Sequence, residues 1–169
     1  MATTYEAIAT VTVGSGGAAT ISFSSIPATY TDLLLKVSAR TDQASVTSEI
    51  NVTFNGSTSS ISLRGLYGNG SAAGSQTLTR HPILGTGSTA TTSTFGNSEI
   101  YIPNYAGSNN KSSSSDAVAE SNTTTVFSYL NAALWSNNAA ISSITLTPDA
   151  SGSTFSQYST ATLYGIRSS

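Results

Sequence analysis

One stretch constrains this chain more than any other: Thr31-Asp32-Leu33-Leu34-Leu35-Lys36-Val37-Ser38-Ala39-Arg40. Leu33, Leu35, Val37 and Ala39 fall on one face at period 2, with Leu34 and Lys36 on the other. A strand that is apolar on one face and carries Leu34 on the second belongs inside a sheet, so the remaining, weaker strands are expected to pair around it. The leucine on the second face needs its own cover, from a loop or from a neighbouring subunit.

Weaker alternation recurs along the chain. Tyr5 to Val13 forms a strand, broken by Gly14-Ser15-Gly16-Gly17, where two or more glycines are expected at positive φ. Ala18 to Ser24 resumes with Ile21 and Phe23 inward, which predicts a first hairpin. The same glycines could suggest a phosphate cradle, but no Lys-Ser/Thr follows and no helix opens. Glu49 to Phe54 places Ile50, Val52 and Phe54 on one side. Asn55-Gly56 is the strongest local hairpin signal, because both residues tolerate positive φ. Ser59 to Leu66 is expected to return beside it.

Long loops are predicted over about 67–94 and 105–115, interrupted by a short strand within Leu78 to Leu84. Ser98 to Ile102 is a strand stopped by Pro103, Ser108 to Ser115 reads as a polar linker, and Asp116 to Ser121 pairs at an edge. In Thr123 to Trp135, Val126, Leu130 and Leu134 fit either a helical or a strand period, and the Thr-rich start favours strand. Ile141 to Thr147 and Phe155 to Ile166 complete the set. About eight strands, turn-rich connections and no long helix predict an all-β fold. Residues 1–169 form a single antiparallel β-sandwich domain, jelly-roll-like, with the first and last strands close together.

Composition narrows the function. Only 8% of the 169 residues are charged, against roughly 25% in an average domain, while 38% are hydrophobic. A surface covered by hydroxyls and amides suits an extracellular or assembled setting. Six Lys and Arg are scattered along the chain, so the basic footprint of nucleic-acid binding is missing. Absence of cysteine removes disulfides and thiolate chemistry. No apolar run approaches the roughly 20 residues of a membrane span. The Met1 to Glu6 start lacks the pattern of a secretion signal, so synthesis in a host cytoplasm and release by lysis is the expectation.

Candidate chemistry is sparse. His81 is the single histidine, has no G-x-S-x-G partner motif, and is expected to be solvated in a polar loop. Among the eight carboxylates, Glu99 with Asp116 or Glu120 is the best guess for a facing pair of glycosidase type. The competing reading is a set of exposed strand and loop charges. No catalytic, cofactor-binding or metal-binding residue is assigned. Trp135 at the end of an apolar strand is expected in the core. Leu34, Arg64, Tyr67 and Tyr105 are the candidate interface residues, the two tyrosines because they stand beside Gly and Asn loops.

Three segments carry a family likeness. Asn97-Ser98-Glu99-Ile100-Tyr101-Ile102-Pro103-Asn104-Tyr105, Leu134-Trp135-Ser136-Asn137-Asn138-Ala139-Ala140-Ile141 and Tyr158-Ser159-Thr160-Ala161-Thr162-Leu163-Tyr164-Gly165-Ile166 resemble small β-rich virion proteins of tailed bacteriophages of cyanobacteria and marine bacteria. Val11 to Ala18 and Phe54-Asn55-Gly56-Ser57 are similar to the same group. The resemblance implies a capsid decoration (cement) protein on the outer virion surface, a homotrimer bound to the major capsid protein, with no nucleic acid, membrane or cofactor. A glycan-binding module of a tail fibre or spike is the alternative, and a polysaccharide-degrading enzyme a third.

Overall fold

The computed structural model describes residues 4–122 and 126–167. Among the described residues there are twelve strands and no helix. In chain order they are β1 (Tyr5–Thr12), β2 (Ile21–Phe23), β3 (Asp32–Ala39), β4 (Thr47–Phe54), β5 (Ile61–Gly68) and β6 (Ala73–Leu78). The second half contributes β7 (Pro82–Thr86), β8 (Gly96–Pro103), β9 (Lys111–Ala119), β10 (Phe127–Trp135), β11 (Ile144–Pro148) and β12 (Thr160–Ile166). They form two antiparallel sheets packed as a sandwich. The larger runs β1-β12-β3-β8-β9-β10-β5-β6 and the smaller β2-β11-β4-β7.

β3 lies inside the larger sheet, between β12 and β8, as its double-faced apolar pattern predicts. Leu33, Leu35, Val37 and Ala39 are buried against the smaller sheet, where Ile21, Ile50, Val52, Phe54 and Leu146 face them. Trp135 joins this core, its ring centroid 5.8 Å from that of Phe54. The first and last strands pair directly, from Tyr5 opposite Ile166 to Thr12 opposite Thr160, with one bulge between Ala7 and Ala9.

Connectivity departs from the local hairpin signals. Asn55 and Gly56 do take positive φ (51° and 70°), and Ser57 N–H donates to Phe54 C=O at 2.9 Å. The turn is the expected one, yet the chain leaving it crosses to the other sheet: β4 pairs with β11 and β7, β5 with β10 and β6. Ser60, at φ 63°, redirects the chain. The Gly14–Gly17 turn likewise separates β1 in the larger sheet from β2 in the smaller, so no first hairpin forms there, and Gly17 alone of its glycines has positive φ. At Asn55-Gly56 both flanking strands bury an apolar face better as opposite walls of the sandwich than as neighbours in one sheet.

The predicted long loops contain more strand than expected. β6 and β7 lie within the first, and β9 begins at Lys111 inside the supposed 108–115 linker and runs as a central strand between β8 and β10. Its inward residues Ser113, Ser115, Ala117 and Ala119 are all buried. Small side chains let β7 approach closely there, and serine hides such a strand from any pattern based on hydrophobicity. Thr123 to Trp135 is strand from Phe127 onward; Thr123–Thr125 lie outside the described residues.

Candidate functional site

Because strands alternate, the larger sheet presents a second face that no other strand among the described residues covers. The register fixes its columns. On β9 stand Ser114, Asp116 and Val118; opposite them on β10 are Ala132, Leu130 and Ser128; beyond these on β5 are Arg64, Leu66 and Gly68. Six of the seven exposed large hydrophobics among the described residues lie on this one face: Tyr5, Leu66, Tyr101, Val118, Leu130 and Leu134. The seventh, Tyr158, sits in the turn before β12.

Two neighbourhoods divide the face. The aliphatic one centres on Leu66 and Leu130, which are 60% and 61% exposed. They border a shallow depression of about 490 Å³ with Arg64, Ala132, Ser75 and Thr77. The aromatic one is a depression of about 330 Å³ lined by Tyr5, Leu34, Lys36, Glu99 and Tyr164. Here Lys36 is ion-paired with Glu99 across β3 and β8, a contact that raises the lysine pKa through the hydrogen bond first and the charge second. Tyr101 O–H donates to Asp32 Oδ2 at 2.7 Å, which raises the phenol pKa.

Charge on the aliphatic side is left uncommitted. Arg64 donates one hydrogen bond, to the neighbouring Leu63 carbonyl at 3.0 Å, and forms no ion pair among the described residues. Asp116 likewise has no ion pair there; its field reaches Lys36, which Glu99 already engages. Bringing a second surface onto Leu66, Leu130, Leu134 and Val118 would release on the order of 1 kcal/mol for each, given their remaining exposure.

The four residues singled out from sequence separate in space. Arg64 is exposed on the outer face, as an interface residue requires. Leu34 is on that face too, but at 8% exposure it is already covered by cross-strand neighbours Tyr101 and Tyr164. Tyr67 points to the opposite side of β5, half-buried over Gly74, where a Cβ would meet its ring at 2.6 Å. Tyr105 is fully buried and its O–H donates to the Pro27 carbonyl, so it is a core residue and cannot serve an interface. The exposed leucines were missed because Leu66 and Leu130 belong to different strands aligned only by the β5–β10 register; the signal available was the shared parity of Leu66 with Arg64 on β5.

The other candidate chemistry is also placed. His81 is buried, with Nε2 3.2 Å from Ser115 Oγ and the Phe54 ring against it. It is not solvated, because the chain enters β7 at Pro82 with this ring turned between the sheets. Burial pushes its pKa down to about 4. Glu99 and Asp116 stand opposite each other on β8 and β9, but on an open sheet face and not across a cleft. Trp135 is in the core as expected.

A separate polar concavity of about 310 Å³ is lined by Gln43, Thr47, Glu49, Asp149, Phe127 and Tyr129. Glu49 accepts from Tyr129 O–H at 2.7 Å and is ion-paired with Arg80, which holds Asp149 at 3.8 Å. Burial is the main cause raising the Tyr129 phenol pKa, with the Glu49 hydrogen bond second. Gln43 Oε1 is buried in the chain without a hydrogen-bond partner. Among the described residues no group of three or more His, Cys, Asp or Glu could hold a metal ion. No family model, no curated protein and no solved structure matches the chain.

Proposed function

We propose that the chain is a structural protein of a virus particle, a capsid decoration protein that works as a homotrimer bound to the major capsid protein. The observation that supports this reading is the gathering of six exposed large hydrophobics on one open sheet face. Such a face with few charges suits docking onto protein, and repetition by symmetry converts modest contacts into firm attachment through avidity. The strand order supports a jelly-roll winding. With the β9–β10 hairpin and the terminal β1 and β12 set aside, β3-β8-β5-β6 faces β2-β11-β4-β7, the arrangement of two interlocked Greek keys.

Cryo-electron microscopy of intact particles, with light scattering of the purified chain, tests the proposal. Density for the chain on the shell is the expected result; label confined to a tail tip would sink it. A glycan-binding tail module is the second reading, favoured by one feature: the polar concavity with the Phe127–Tyr129 aromatic pair and the unpartnered Gln43 Oε1. Binding on a glycan array that Gln43→Ala removes would favour that reading over the first.

A further inference from the structure

We infer that copies of this chain associate through the aliphatic half of the outer sheet face, around a rotation axis running along β10, with Arg64 of one copy paired to Asp116 of the next. The inference rests on the reading above that this face is an interface, and it adds the occupant and the pairing.

The register makes the argument. β10 is the middle of three columns, carrying Leu130, Ala132 and Leu134; the acid, Asp116, stands on the β9 side and the base, Arg64, on the β5 side. Rotation about an axis along β10 sets leucines on leucines at the centre and the β9 column of one copy against the β5 column of another. That result holds for a twofold and for a threefold axis alike. Asp116 lies one row from Arg64, an offset of about 7 Å along the strand that the long arginine stem can span. An axis running across the strands would set β9 on β9 and β5 on β5, bringing Asp116 towards Asp116 and Arg64 towards Arg64, which is unfavourable.

Charge complementarity selects a copy of the same chain over an unrelated partner. Of the charged side chains on this face, Lys36 and Glu99 satisfy each other within the chain, and Asp32 is engaged by the Tyr101 O–H and the Asn104 N–H. Arg64 and Asp116 are one positive and one negative group, both without an ion pair among the described residues, flanking a common apolar strip. A self-complementary patch needs this composition, since every group must find its counterpart on an identical surface. Within one copy they stand two strands and one row apart, about 12 Å, with Leu130 and Ala132 between them.

Sedimentation equilibrium on the full chain tests this, comparing wild type with Arg64→Glu, Asp116→Arg and the double exchange. Each single change is expected to weaken self-association by about tenfold or more, and the double exchange to recover it. Raising the salt concentration is expected to narrow the difference. All three positions are solvent-facing, and circular dichroism establishes that each variant is folded; Leu130→Asn, which alters no charge, is expected to abolish association as well. A wild type that stays monomeric at its highest soluble concentration overturns the inference, as do charge variants that associate like wild type. If those variants still occupy the shell of a particle, the proposed function survives that failure. Self-association that follows the charge pattern in a chain absent from any shell keeps this interface and removes the decoration reading.

Discussion

Leu66 on β5 and Leu130 on β10 stand directly opposite each other across the larger sheet, and both point to solvent. Cross-strand aliphatic pairs normally stabilise a sheet by facing its core. This pair does so on the uncovered side, with Leu134 and Val118 close by, so its hydrophobic contribution is held for a second surface.

Replacing Leu130 by Thr is therefore expected to separate folding from association. Threonine suits a strand, and the position makes little contact with the core, so the midpoint of urea unfolding should correspond to a change within about 0.5 kcal/mol. Self-association measured by light scattering should fall sharply. A large loss of monomer stability would show that Leu130 is covered within the chain.

His81 makes stability depend on pH. Its folded pKa is about 4 against 6.5 in the unfolded chain, because burial penalises the charged ring, whose Nε2 lies 3.2 Å from the Ser115 hydroxyl with Phe54 packed at a steep angle to it. Below pH 6.5 the unfolded state binds the extra proton first, so the contribution is fully present above 6.5 and is lost as pH falls towards 4. The loss approaches roughly 3 kcal/mol. His81→Gln should flatten the unfolding free energy across that window. Asp42, whose pKa is lowered chiefly by the Thr154 N–H, acts below 3.8 and does not blur the comparison. An equal slope in the variant would remove the assignment.

Arg40 organises the connection between β7 and β8. Its Nη1 donates to the Thr91 and Thr94 carbonyls at 2.9 and 3.1 Å, and its Nη2 to those of Ser88 and Ala90, both at 3.1 Å. Arg40→Met strands these four acceptors and is expected to cost about 2–3 kcal/mol in urea unfolding. Arg40→Lys should restore little, since an ammonium lacks the planar fork that reaches all four. Limited proteolysis of 88–94 should accelerate in both; unchanged cleavage would count against the staple.

Asn55 ties the β4–β5 crossing to the segment before β11. Its Oδ1 accepts from Ser142 N–H and Ser143 N–H at 2.8 and 3.0 Å, and its Nδ2 donates to the Ala140 carbonyl at 2.8 Å. Asn55→Ala loses these bonds and places alanine at positive φ, for an expected cost of about 3 kcal/mol. Asn55→Gly relieves the backbone part alone and should recover a minority of it. Full recovery by glycine would show that the side-chain bonds carry no weight.

The interface residues show where sequence reading stops. Arg64 is exposed because it stands between the inward Leu63 and Gly65 on β5, although the outward Leu66 breaks the polar–apolar alternation of that strand. Tyr105 is not: a tyrosine beside Asn and Gly looks exposed, but its ring joins the core and its O–H is satisfied by the Pro27 carbonyl, 78 positions away. Ser113 and Ser115 were read as linker because a buried serine is locally indistinguishable from a solvated one. Leu34 has the opposite lesson. Its cover was expected from a loop or a neighbouring subunit, whereas the cross-strand Tyr101 and Tyr164 of the same sheet flank it and leave it 8% exposed.

By itself the sequence determines the all-β class and the inward faces of β3 and β4, because side-chain direction along a strand is a local property of period 2. It also determines the turn at Asn55-Gly56, since positive φ is a local preference. Tertiary structure alone decides that this turn joins two sheets, that serine-rich β9 is central, and that Leu66 and Leu130 meet beside Arg64 and Asp116. Those outcomes depend on which distant strands share a hydrogen-bond ladder and in what register, and that choice is settled by packing the two sheets together. The Thr31 to Arg40 strand anchors the packing, while the surface proposed for function is assembled from β9, β10 and β5, three strands whose outward residues become neighbours only in the folded sheet.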